Sequence, residues 1–223
     1  PEVAPDIFYL CFPNNPTGGI MTKEDLYAPI YEKYNELKIA LTGTDIDKIR
    51  ELTLEVHAMV HPAEISGKTE KTIADFVLDY MLKGNQNAIV PREDYDVDLH
   101  YAGIRTVPLC WQFWHTYRIE DLVSNILMAN QEQIFNAEWQ RKINSSITDT
   151  GNALEFDEAK AFGNALNVES LREYMITVGK NTRTILENLT LEQINSTVPE
   201  EWVMRILEEG GVITQETLRW DDV

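Results

Sequence analysis

The sequence predicts an all-α protein, a helical bundle preceded by a short strand and loop. Three observations predict it. From Thr22 onward apolar residues recur at three- and four-residue spacing, the period of a helix with one buried face. Proline, glycine and capping residues cut this pattern into pieces of helix length. The β-rich run from Asp6 to Phe12 has no neighbour in the sequence with which to complete a sheet. A chain of 223 residues can bury a core in one domain without disulfide staples. The expected division is a strand-loop extension over residues 1–24 and a bundle over residues 25–223.

In order, the run at residues 6–12 is the expected strand, and Pro13-Asn14-Asn15-Pro16-Thr17-Gly18-Gly19 after it is dense turn chemistry. Thr22 and Asp25 resemble a capping box that opens a helix through Tyr27, Ile30, Tyr34, Leu37 and Leu41, closed at Gly43. Thr44 starts a second helix, with Ile49, Leu52, Val56, Met59 and Val60 on one side, that stops near Pro62, because proline cannot continue the ladder. A loop at residues 64–68 leads to a third helix with Ile73, Phe76, Val77, Tyr80 and Met81 facing inward. Residues 84–103 read as a long connection. A central helix then spans residues 104–129, followed by a shorter segment over 133–143, a break over 144–152 and a helix over 156–166. Leu171, Tyr174, Val178, Ile185 and Leu189 mark a long helix. Pro199 opens the last clear one, which Gly210-Gly211 closes.

Thirty-seven acidic against nineteen basic residues give a formal charge of -18, which repels phosphate backbones and anionic lipid surfaces. Nucleic acid and membranes are therefore not expected partners. Cys11 and Cys110 lack metal-ligand spacing and read as reduced thiols of a cytoplasmic protein. Neither a signal peptide nor a spanning run is visible in the sequence. Glu155, Asp157, Glu158 and Glu169, near helix starts, read as capping acids and solvated faces.

The central helix holds the leading candidate for chemistry. Trp111, His115, Ile119, Leu122 and Ile126 fall on one stripe at helical spacing, so His115 is expected to point into the core. A buried imidazole needs a polar partner or a metal, and both readings stand. Glu120 lies about 140° round the helix from His115 and reads as structural, with Arg118 at the rim, paired with an acid. A second pair, His57 and His61, has the i, i+4 spacing that puts two imidazoles on one helix face. It could hold a metal, or cap the helix end before Pro62. His100 falls in a polar stretch.

The run Leu109-Cys110-Trp111-Gln112-Phe113-Trp114-His115-Thr116-Tyr117-Arg118-Ile119-Glu120-Asp121 resembles the metal-binding segment of DinB-like four-helix-bundle proteins, over about residues 27–223. That resemblance implies a divalent metal, zinc or nickel, held by His115 and by a late His-x-x-x-His pair. It also implies thiol S-transferase-like chemistry on a thiol or other small-molecule substrate, with a homodimer left open. No histidine follows His115, so the expectation is that the chain stops short of the late pair. Without a metal, the reading is a non-catalytic helical interaction domain. Residues 6–18, ending in Asn14-Asn15-Pro16-Thr17-Gly18, are similar to fold-type I aminotransferases of the LL-diaminopimelate type. There the resemblance implies a bond from Asn15 to the phenolic oxygen of pyridoxal phosphate. No Schiff-base lysine stands in a recognisable setting, so an active aminotransferase is not expected.

Overall fold

A computed structural model describes residues 23–88 and 108–212, and among them every regular element is helical. The expected strand, Cys11, Asn15, His100 and most of the connection at 84–103 lie outside the described residues. Helix α1 (Lys23–Leu41) turns at Gly43 into α2 (Ile46–Val60), whose N-cap is Asp45 rather than Thr44, its carboxylate accepting from Lys48 N at 3.1 Å. The two lie side by side, with Leu37 of α1 buried against Ile49, Leu52 and Val56 of α2. Pro62 ends α2 and opens a single turn, α3 (Ala63–Ser66), which Gly67 closes at φ 70. Part of the loop expected at 64–68 is therefore helical, because a left-handed glycine can close so short a turn.

Helix α4 (Ile73–Tyr80) starts on a reciprocal capping box between Thr72 and Asp75 and runs into a π-helical turn, Met81–Asn85. Two residues expected to face inward do not: Phe76 is 61% and Tyr80 50% exposed, while Leu78 and Met81 are buried. Apolar residues stand on more than one side of this helix, so periodicity alone does not choose its buried face; Leu78 and Met81 are the ones that enter the core cluster. Helix α5 (Leu109–Asp121) passes without a break into a second π-helical turn, Leu122–Met128.

After α6 (Ala137–Ile143), helix α7 (Phe156–Ala165) begins on a capping box between Glu155 and Glu158. Helix α8 (Val168–Glu187) packs against α2, α3, α5 and α6. A short helix that the periodicity does not announce, α9 (Leu191–Asn195), is capped by Thr190 and Gln193, and α10 (Glu200–Glu208) follows Pro199. One core cluster joins Cys110, Trp114 and Tyr117 of α5 to Tyr174, Met175 and Val178 of α8. A second joins the α1–α2 pair to Val123, Met128 and Leu186. Glu120 falls in the chain between Tyr117 of the first cluster and Val123 of the second. Among the described residues no helix is long and apolar enough to cross a membrane.

Candidate metal centre

Of the stripe expected to seat His115 in the core, Leu122 and Ile126 are buried in the π-helical turn, but within α5 the most buried face is another. Trp111, His115 and Ile119 are half-buried, whereas Cys110, Trp114, Tyr117, Arg118 and Asp121 are buried, a face about 100° away. The reason is a row of hydrogen bonds. Arg118 Nε donates to Thr148 O at 3.1 Å, Trp114 Nε1 to Asp149 O at 3.1 Å, His115 Nδ1 to Thr150 O at 2.9 Å and Trp111 Nε1 to Gly151 O at 3.1 Å. Four donors on three successive turns of one helix thus hold four successive carbonyls of the 148–151 segment. A carbonyl can only accept, so His115 carries its proton on Nδ1. Its ring stacks on Trp111 at 4.7 Å between centroids, and burial lowers its pKa. No other candidate metal ligand among the described residues is grouped with it. Arg118 is not at a rim; it is fully buried and pairs with Asp121 at 3.1 Å. Asp121 also accepts from Tyr174 and from the backbone of Ile134 and Phe135, which makes this a satisfied structural pair.

The structure brings His57 and His61 together with Glu120. Their exposures are 2%, 3% and 3%, and one ligand atom from each lies within 4.8 Å of the other two. Val56 and Ala58, on either side of His57, are themselves buried, so the end of α2 is enclosed where an amphipathic count places a boundary. His57 and His61, one turn apart, stack with centroids 3.9 Å apart and planes 13° from parallel. His61 caps α2 and donates from Nδ1 to His57 O at 2.9 Å. Its backbone is held in turn: Thr72 Oγ1 donates to His61 O at 2.8 Å, and Asp75 accepts from Ala63 N at 2.9 Å. From α5, Glu120 Oε2 lies 2.8 Å from His61 Nε2 and Oε1 lies 3.7 Å from His57 Nε2.

Three buried polar atoms here have no hydrogen-bond partner: both ring nitrogens of His57 and Oε1 of Glu120. Burial, with the charge of His61 beside it, pushes the His57 pKa down to about 4. For His61 burial acts in the same direction, but the Glu120 carboxylate outweighs it and raises the pKa. Burial alone would raise the Glu120 pKa, and the two imidazoles instead hold it well below the carboxylate range. Without a metal, the site is therefore an ion pair of His61 and Glu120 beside a neutral, unbonded His57. Unpaired buried polar atoms are costly, and a cation would take Oε1 of Glu120 and one of the two His57 nitrogens.

The donor set fits such an ion. Two imidazole nitrogens and a carboxylate oxygen suit zinc and its neighbours rather than magnesium or calcium, which favour oxygen. Around a tetrahedral ion with bonds of about 2.0–2.1 Å, ligand atoms sit about 3.3 Å apart. The 2.8 Å contact would open by about half an ångström and the 3.7 Å contact close by a little less. The Nδ1–H bond to the His57 carbonyl already leaves Nε2 of His61 as the ligating nitrogen. The i, i+4 spacing of the histidines is visible in the sequence. Glu120 was missed, although an acid inside so apolar a helix was itself a signal.

No family model matches the sequence, and no solved structure matches it significantly. Among curated proteins it is similar to the LL-diaminopimelate aminotransferase of Prochlorococcus marinus (strain NATL2A), 26% identical over 161 residues that take in 64% of this chain and 35% of that one. The same enzyme from strain MIT 9303 is 25% identical over 166 residues, 66% of this chain and 36% of that one. A shorter match, 65% identical over 26 residues, is to the LL-diaminopimelate aminotransferase of Lachnospira eligens, covering 12% of this chain and 6% of the relative. The chain spans about a third of the length of the first two. It thus has a weak similarity, over part of its length, to LL-diaminopimelate aminotransferases.

Proposed function

We propose that this protein is a DinB-like helical bundle that binds one divalent ion of the zinc class through His57, His61 and Glu120. The single observation that carries the reading is the pair of unbonded nitrogens on a fully buried His57, next to an unbonded carboxylate oxygen. The all-α fold and the resemblance of residues 109–121 support the bundle assignment. The ligands differ from those the resemblance implies, because the group of three candidate ligands found among the described residues is His57, His61 and Glu120 and does not include His115. Nε2 of His61, which now faces Glu120, would hold the ion once it had lost its proton.

Elemental analysis after gentle purification tests this. One zinc or nickel per chain is expected in wild type and in His115→Ala, and a loss of most of it in His57→Ala and Glu120→Ala. Metal retained in the latter two, or lost only in His115→Ala, would refute the assignment.

The aminotransferase similarity favours a second reading, in which the chain shares pyridoxal-phosphate chemistry with its relatives. Its one expected cofactor contact, Asn15, lies outside the described residues. A visible absorption band that borohydride traps on a lysine would support it; the metal reading expects no such band in the same preparation.

A further inference from the structure

We infer that the ion at His57, His61 and Glu120 is a structural clamp, sealed from substrate, that ties the end of α2 to the last turn of α5. The inference rests on the metal reading above and says what the ion does there. Three protein ligands leave a tetrahedral ion a fourth position, and in a catalytic site a substrate can reach it. Here both nitrogens of His57 and Oε1 of Glu120 are inaccessible to solvent, and all three side chains are at most 3% exposed. A thiol or other small substrate would have to part the helices to touch the ion.

The placement of the ligands supports a mechanical role. Helix α2 packs against α1 and α8, and α5 packs against α7 and α8; between α2 and α5, His57 and His61 face Glu120, and His61 meets the Tyr117 ring edge-on. His57 and His61 come from the end of α2, and Glu120 from the end of α5, immediately before the π-helical turn at Leu122–Met128. The turn after His61 is bound to the start of α4 through Thr72 and Asp75, and Ser124 Oγ donates to Glu120 O at 2.7 Å inside the π turn. One ion would therefore join two helices, α2 and α5, whose backbones are already fixed at the joint. Without it, two buried imidazoles and a carboxylate sit together with three atoms unpaired. Metal binding at such a site is coupled to folding. Thiol-transfer chemistry, if the protein performs it, is then performed elsewhere.

Cobalt(II) is the probe. The full chain is loaded with one equivalent of cobalt, and its visible d–d bands are recorded before and after addition of 2-mercaptoethanol or azide. Thermal unfolding is followed separately with and without zinc. The clamp predicts cobalt bands that neither added ligand changes, and a Tm raised by about 5–10 °C at zinc about 100 times its Kd. Bands that shift on adding thiol or azide would show an open coordination position and overturn the inference while leaving metal binding intact. A Tm that zinc does not raise would overturn it as well. Absence of cobalt uptake would remove the metal reading itself, and this inference with it.

Discussion

An imidazole with neither nitrogen bonded and no contact with water resists protonation, and His57 is held near pKa 4 for that reason. In the unfolded chain it titrates near 6.5, so between these values the unfolded state binds the extra proton. The metal-free fold therefore loses stability as pH falls from 6.5 toward 4, by about 3 kcal/mol from this one group. His61 acts in the opposite sense. Its raised pKa gives stability that is fully present below 6.5 and is lost as pH rises through the raised value. Glu120, depressed by the same pair, contributes above pH 4.5 and loses that contribution only in stronger acid. Urea unfolding of the metal-free protein across pH 4–7 should show a fall toward acid in wild type and a much flatter limb in His57→Leu. Parallel limbs would mean that His57 is not the buried, neutral group described. The i, i+4 pair on α2 was legible in the sequence because two histidines one turn apart share a face whatever the fold. Glu120 was not, because the partner it meets most closely, His61, is 59 residues away in the chain.

Helix α5 was legible as a helix but not in its orientation. A count of apolar spacing treats tryptophan as a core residue, yet the indole N–H of Trp111 and Trp114 must find an acceptor. The acceptors are carbonyls of the 148–151 segment. That requirement, shared by His115 and Arg118, turns the stripe toward a loop. The capped starts of α2, α4 and α7 carry sequence signatures in Asp45, Thr72 with Asp75, and Glu155 with Glu158. The two π-helical turns have none, since a changed hydrogen-bond register needs no particular residue. Gly151 gives the row of bonds its own test: it sits at φ 78, and a Cβ there would lie 2.8 Å from Trp111 Nε1. Gly151→Ala should cost about 1–3 kcal/mol in urea unfolding and leave the metal content unchanged. A cost under about 0.5 kcal/mol would mean that the segment is not clamped as drawn.

For the whole molecule, the all-α class followed from periodicity, because a continuous run of helical spacing cannot build the alternating β/α pattern of a large mixed sheet. Glu120 lies in the chain between members of the two core clusters, and a charge buried there is costly to leave unpaired. The similarity to aminotransferases is partial and weak, whereas the buried triad is a property of this chain's own packing. Crystals soaked in zinc and measured at its absorption edge test the central claim most directly. The account predicts one strong anomalous peak about 2.0–2.2 Å from a nitrogen of His57, Nε2 of His61 and a carboxylate oxygen of Glu120. A peak at His115, or no peak among the described helices, would contradict it.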